Sequence, residues 1–448
     1  GIGGFPHALS DLNHECVFAC DIDKDCNEVY LRNWQMSSKG DIRNLSDTVP
    51  DHDILCAGFP CQPFSKSGDQ KGLRDKLYGT TDSFLPRIQG TLFGQIKEIV
   101  QSKNPNFVFL ENVQNLQSHD NGRTIRIIRG ALDELDYHVH ETILSPHHFG
   151  IPQNRPRIFI VAIKRSIEGH ADFKFPEKED AVCDVMEIHD GSENRDIQDS
   201  LQQVLDHWTA FMRSLPEGVT PPSPTWSMEF GRTYPLETIH PISSLSKSEL
   251  CQVLSDEGID ASPSWVKDRI LDLFPPYVRK MKDEMPKWKK QFIQRNRGFW
   301  NEYRDSVPDG WLDVTRGFSD THQKFEWHVG PDSERDVMKH MIHTRPSGIR
   351  VSRMDKIPAL VAIAQIPIIG PWGRRITPRE AARAQSFADD FVLHESDSVA
   401  FRQLGNSVNV DVVRRIMLQI EIVAKDSGSY EGDEALDSID SRFASIHQ

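Results

Sequence analysis

"HDILCAGFPCQPFS", residues 52–65, runs from a short apolar stretch into a cysteine held between two prolines. DILCAG, residues 53–58, reads as a buried strand that stops at Gly58. Proline fixes its own φ and drives the residue before it toward extended geometry. Pro60 and Pro63 therefore stiffen the backbone on both sides of Cys61, and Phe59 and Gln62 are biased out of the helical region. A thiol on a rigid loop at the end of a strand stands where open α/β sheets bind ligands. A buried structural cysteine needs no such frame.

Outward from this loop the chain alternates. CVFAC (16–20), NFVFLEN (106–112) and RIFIVAI (157–163) read as further strands. GTLFGQIKEIVQS (90–102) and TIRIIRGALDELD (124–136) read as helices, with apolar residues three and four apart. The alternation predicts βαβ units and a mainly parallel sheet, hence an α/β fold. From about 166 to 370 prolines, tryptophans and irregular spacing dominate, which predicts a second domain. Periodicity returns at RRITPREAARAQSF, where Thr377 and Glu380 form a capping-box signature and Pro378 falls at the first helical position. QLGNSVNVDVVRRIMLQIEIVAK reads as a turn followed by a helix. The polar, acidic tail from Lys425 is predicted to be disordered.

The chain of 448 residues suits two or three domains. Its net charge of -14 counts against a protein that merely coats nucleic acid, since phosphate binding needs lysine and arginine. Residues 277–300, YVRKMKDEMPKWKKQFIQRNRGFW, nevertheless interleave basic residues with Tyr277, Trp288, Phe292, Phe299 and Trp300. Such a stretch is either a solvated helix face or a nucleic-acid contact. No apolar run approaches the ~18 residues of a membrane span, and the opening GIGGFPHAL has no charged start or cleavage site. Seven cysteines without paired spacing imply reduced thiols and a cytoplasmic protein. Cys16, Cys20 and Cys26 lack zinc-ligand spacing, so no metal is expected.

GIGG at residues 1–4, followed by a helix, could cradle a nucleotide-like ligand, and Asp21 ends the next predicted strand, where an acid can bond ribose hydroxyls. These features fit NAD, FAD or S-adenosylmethionine alike, and a plain tight turn as well. Glu111 and Asn112 follow an apolar strand, and a carboxyl there costs free energy unless it has a partner or a task. QNRPRIF, residues 153–159, offers the partner: Arg155 and Arg157 alternate and can face one side. Glu111 with Arg157 can equally be a structural ion pair. His147 and His148 read as loop histidines rather than ligands.

GIGG, GDI, GFPCQPFS, GTLF, ENV, QNRPRIF, RRITPREAARAQSF and QLGNSV occur in the order found in DNA (cytosine-5) methyltransferases, and the chain resembles that family over residues 1–165 and 372–425. The resemblance implies a Rossmann-like, S-adenosylmethionine-dependent domain with a mostly parallel sheet from those two segments. It implies a smaller target-recognition domain over 166–371, and leaves 426–448 as the acidic tail. It assigns the nucleophilic thiolate to Cys61, the contact with cytosine N3 to Glu111, the contact with O2 to Arg157 and support of the site to Arg155. For the cofactor it implies Gly1, Gly3, Gly4, Asp21, Ile22, Asp41, Ile42, Pro60, Leu92, Asn406 and Ser407. Residues 65–89 become the loop that closes on DNA, longer than expected for the family. Gln62, Ser65, Lys287, Lys289, Lys290, Arg295 and Arg297 are expected to touch DNA.

The target base must be flipped out of the duplex to be reached. The expected partner is double-stranded DNA, with a restriction endonuclease acting separately. The expected state is a monomer without membrane attachment, at work on prokaryotic nucleoid DNA. Methylation of a transfer RNA, a catalytically dead DNA-binding protein and a nicotinamide oxidoreductase are the rival readings. In the family a buried strand precedes the glycine-rich loop, so a longer chain with that strand upstream of Gly1 is expected.

Overall fold

The structure, a computed structural model, describes residues 1–59, 92–179, 181–193, 197–236, 242–279, 285–360 and 365–426. Pro60, Cys61, Gln62, Ser65, the loop 65–89 and the tail beyond 426 lie outside the described residues. Two compact units emerge. Among the described residues, the first takes those up to 191, 355–360 and 377–426, and the second those between 192 and 354 and 365–376.

In the first unit, helices α1 (Gly4–Ser10) and α2 (Lys24–Trp34) precede strand β1 (Ile54–Gly58). Helix α3 (Leu92–Lys103), strand β2 (Phe107–Val113) and helix α4 (Arg123–Asp133) follow, then strands β3 (Tyr137–Leu144) and β4 (Arg157–Lys164). The sheet order is β1-β2-β4-β3. β1 and β2 are parallel, while β4 runs antiparallel to both β2 and β3. The described sheet is therefore mixed, with one parallel pairing and two antiparallel ones. β2 is buried from Phe107 to Asn112, as a central strand covered on both faces must be. On one face α3 packs Phe93, Ile96 and Val100, and α4 packs Ile125, Ile128 and Leu132, at helical spacing over Val108 and Leu110. On the other, Phe5 of α1 meets Phe109 edge-on at 5.4 Å. Cys16–Cys20, read from the sequence as a strand, pairs with no strand among the described residues, although Phe18 packs against the core.

Residues 166–191 stay with the first unit, where Phe173 packs beside His140 at 5.2 Å. The second unit opens with α5 (Asp199–Ser214) and includes β5 (Thr225–Trp226) and α6 (Lys287–Tyr303). Strands β6 (Lys324–His328), β7 (Met341–Arg345), β8 (Gly348–Ser352), β9 (Ile368–Ile369) and β10 (Arg374–Arg375) follow. Its six-stranded sheet runs β10-β9-β7-β8-β6-β5. Its core is aromatic: Trp208 of α5 stacks on Phe325 of β6 at 4.5 Å, among Phe211, Phe230 and Trp311.

The chain dips back into the first unit at 355–360, where Ile357–Pro358 pairs in parallel with Gln153–Asn154. It returns for good with α7 (Pro378–Ala384), α8 (Asp397–Asn406) and α9 (Val410–Asp426). The capping box read from Thr377 and Glu380 is present, and Thr377 also donates to Asp190 at 2.5 Å. α9 packs against α1. Among the described residues no helix is long and apolar enough to cross a membrane.

Candidate active site

In the parallel register Gly58 faces Glu111, whose Oε2 lies 3.7 Å from where a Cβ on Gly58 would sit. Asn112, buried, donates from Nδ2 to the Phe59 carbonyl at 3.1 Å. The segment that leads to Cys61 thus leaves the sheet beside a carboxyl. Glu111 is 9% exposed. Burial pushes its carboxyl above the usual range, while Arg157 and Arg155 pull it back down. Arg157 Nε lies 3.1 Å from Glu111 Oε1, an ion pair without an aligned hydrogen bond, because that oxygen accepts none. A carboxyl so placed keeps its proton to higher pH than a free one and can hand it to a ring nitrogen.

Arg155 and Arg157 have different tasks. Arg155 is 2% exposed and donates to carbonyls of the turn that ends α8, Gly405 at 3.0 Å and Ser407 at 2.6 Å, and to Leu360 O at 3.4 Å. Its own backbone N donates to Ser145 Oγ at 2.9 Å, and its Nε has no partner. Burial, with Arg157 close by, lowers its hold on its proton; Glu111 raises it. His147 shares Ser145 Oγ at 2.8 Å, and the Ser145 backbone N donates to His148 Nδ1, so both histidines shape this turn.

The glycine loop is sterically exacting. Gly3 has φ +97°, and a Cβ there would fall 2.0 Å from Trp34 Nε1. A Cβ on Gly4 would meet Val408 Cγ2 at 2.7 Å and Ser407 Oγ at 2.8 Å. The Gly1 nitrogen touches the Asp21 carboxylate, whose other oxygen accepts from Asp23 N at 2.8 Å. Ile22 is 70% exposed beside it. Asp41 is engaged by Arg43, with Nε 3.0 Å from each carboxylate oxygen, which holds its carboxyl below the usual range. Ile42 and Leu92 pack partly buried against the core. Asn406 is exposed at the end of α8, and the Ser407 hydroxyl donates to Val408 O at 3.2 Å.

The basic stretch divides in the second unit. Lys287 and Arg295 are exposed on α6, and Lys290 is half-buried. Lys289 sits 4.2 Å over the Tyr277 ring. Arg297 points inward: its Nε and Nη2 hold Glu229, 3.0 and 2.9 Å away, and Nη1 donates to Tyr234 O at 2.8 Å. Glu229 is fully buried and also accepts from Tyr234 and Tyr277. The guanidinium of Arg297 is thus committed within the fold, because a buried carboxylate must be paired. This departs from the phosphate contact expected for Arg297.

Two polar residues, Ser145 as an acceptor and Glu229 as an anchor, escaped sequence reasoning, because no local pattern marks them. Asn112 stood out beside Glu111, but its bond to Phe59, 53 residues away, did not.

A model described as "C-5 cytosine-specific DNA methylase" matches residues 1–421. The type II methyltransferase M.HgiCI of Herpetosiphon aurantiacus is 30% identical over 94% of this chain and 96% of its own length. M.BanI of Aneurinibacillus aneurinilyticus is 31% identical over 93% of each. M.HhaI of Haemophilus parahaemolyticus is 43% identical over a segment that makes up 40% of this chain and half of that protein. A buried carboxyl at the mouth of the cysteine loop and a match across both units lead to one conclusion: the chain belongs to the C-5 cytosine-specific DNA methylase family, enzymes that methylate cytosine in DNA at carbon 5.

Proposed function

We propose that this chain moves a methyl group from S-adenosyl-L-methionine to C5 of a cytosine turned out of a specific duplex DNA sequence, through a covalent bond between Cys61 and C6. The observation that carries the reading is the pairing of Gly58 with Glu111, with Asn112 holding the Phe59 carbonyl. C5 of cytosine is a poor nucleophile. Attack of the Cys61 thiolate on C6 breaks the C5–C6 double bond and makes C5 electron-rich. Free cysteine is only a few per cent thiolate at neutral pH, so a loop that holds the sulfur in place counts for much. Glu111 gives its proton to N3 as the adduct forms and takes it back when the adduct collapses. Arg157 holds O2. After methyl transfer a base removes the C5 proton, and the Cys61 thiolate leaves by β-elimination.

S-adenosyl-L-methionine, when bound, supplies an electrophilic methyl group. The residues that would hold it fit. Gly1, Gly3 and Gly4 form a loop where added side chains at Gly3 and Gly4 would clash. Asp21 presents a carboxylate for ribose, and Ile22 presents an exposed apolar face. Asp41, Ile42, Pro60, Leu92, Asn406 and Ser407 complete the set. The second unit, 192–354 with 365–376, serves as the target-recognition domain, and Gln62, Ser65, Lys287, Lys290 and Arg295 as DNA contacts. The likeness to type II methyltransferases supports a restriction-modification role. A separate endonuclease and a cytoplasmic monomer belong to the same proposal.

The test is a duplex carrying 5-fluorocytosine, whose C5 fluorine blocks the final elimination. With S-adenosylmethionine the chain should form a denaturant-resistant complex, and Cys61→Ser should form none while still binding DNA. An equal yield from the serine variant would overturn the assignment. A transfer RNA carrying the same base should trap nothing.

A further inference from the structure

Helix α6 has two faces of different chemistry. On the inward face each polar side chain has an internal partner. Lys289 lies over Tyr277, Asn296 Oδ1 accepts from Trp226 N at 2.7 Å, and Arg297 holds Glu229. On the outward face Lys287, Trp288, Gln291, Gln294, Arg295 and Asn301 are exposed. Among the described residues, none of these six side chains makes a hydrogen bond or ion pair. Trp288 is 66% exposed and adds an aromatic surface to this polar face. The one acid in the helix is Glu302, at its far end.

Gly298 is the second, independent observation. Glycine in the middle of a helix is destabilising relative to alanine. Nothing inside the fold demands it here, since a Cβ added at Gly298 would meet no atom within 4 Å. Gln294, Gly298 and Asn301 instead form one wall of an open cleft of about 500 Å³, with Thr233, Tyr234 and Leu236 opposite. A bare backbone on an open face suits something that approaches it closely from outside.

We infer that the outward face of α6 reads base edges in the major groove of duplex DNA, with Gly298 admitting the close approach. This rests on the DNA-methylating reading above. An α-helix fits the major groove, and 17 residues span ~25 Å of it. Glutamine and asparagine amides match the adenine edge, and arginine matches guanine. Lys287 meets phosphate, and Trp288 gives apolar surface to sugar or a thymine methyl. In a chain of net charge -14 the duplex is repelled by most of the surface, so a face with a single acid is favoured by contrast.

The experiment selects bound duplexes from a random-sequence pool and sequences them before and after selection. It compares the native chain with Gln294→Ala/Asn301→Ala, Gly298→Ala and Lys287→Ala, each checked for folding by its melting temperature. The double variant should lose about five- to a hundredfold of discrimination at one or more positions. Gly298→Ala should melt higher yet bind its selected sequence less tightly, which a purely structural glycine would not do. Lys287→Ala should weaken all sequences alike and lessen the salt slope. Unchanged selection and affinity in the double and glycine variants would overturn the inference, as would a native chain that selects no sequence. The readout is binding, so the two readings fail separately. A chain that selects through α6 but never traps 5-fluorocytosine keeps this inference and loses the catalytic one. A chain that traps the base and selects identically in all variants does the reverse.

Discussion

Replacing Arg155 with methionine should separate architecture from chemistry at the site. The side chain is nearly fully buried and donates from Nη2 to Gly405 O at 3.0 Å and Ser407 O at 2.6 Å. A hydrogen bond from a charged donor contributes about 1.5–3 kcal/mol net, so the two together are worth about 3–6 kcal/mol. The 3.4 Å bond to Leu360 O adds little. Methionine leaves those carbonyls without a donor but also removes the unpartnered Nε, which returns about 1–2 kcal/mol. The expected net loss is about 2–4 kcal/mol, a large share of the ~5–15 kcal/mol that holds a protein folded. The freed turn carries Asn406 and Ser407, and the Ser407 hydroxyl faces Gly4. S-adenosylmethionine affinity should therefore fall at least about tenfold, equivalent to ~1.4 kcal/mol. Urea unfolding measures the first number and calorimetry the second. Arg155→Lys, with one donor head in place of a fork, should fall between. A loss below ~1 kcal/mol with unchanged cofactor affinity would refute the view that Arg155 organises this turn.

Gly3→Ala, at φ +97° and against Trp34, should cost at least ~1–3 kcal/mol of stability by thermal melting and abolish cofactor binding. The single-turnover methylation rate should follow a bell, rising with pH as the Cys61 thiolate forms and limited on the other side by loss of the protonated Glu111 through its raised pKa, whereas Glu111→Gln should be slower and keep only the thiolate-dependent rise. The same raised carboxyl favours folding fully below its unfolded pKa and loses that contribution as pH rises through the folded value, so urea titrations of the glutamine variant should lack this slope. Arg297→Met, which strands buried Glu229, should destabilise by about 3–5 kcal/mol, while exposed Arg295→Ala should leave the melting temperature within about 1 °C.

Features with a local cause were legible in the sequence. Glu111 announced itself as a charge directly after an apolar run, and the Thr377–Glu380 box is written within four consecutive residues. β3 escaped notice. YHVHETIL has no clean alternation because the strand lies at the sheet edge and is half-exposed along most of its length. Cys16–Cys20 has a strand's composition, but a strand exists only with a partner, which composition does not reveal. The domain boundary drifted for the same reason. Residues 166–191 look irregular, yet Asp190 holds Thr377 and Glu380 far along the chain. Arg297 looked like its basic neighbours, and only Glu229, 68 residues away, turns it inward.

The packing of α1 on α9 has a consequence during synthesis. His14 meets Glu421 at 2.8 Å, 407 residues on. At about 5–20 residues per second, a ribosome needs ~20–80 s to deliver the second half of that contact after the first has emerged. The second unit, built almost wholly from one continuous segment, is complete in sequence well before then. The nascent chain therefore carries an unfinished first unit for most of its time on the ribosome. Its exposed β-edges and apolar helix faces must be kept from other chains throughout, so slowed elongation or chaperone depletion should reduce the yield of soluble protein more than any single surface substitution does.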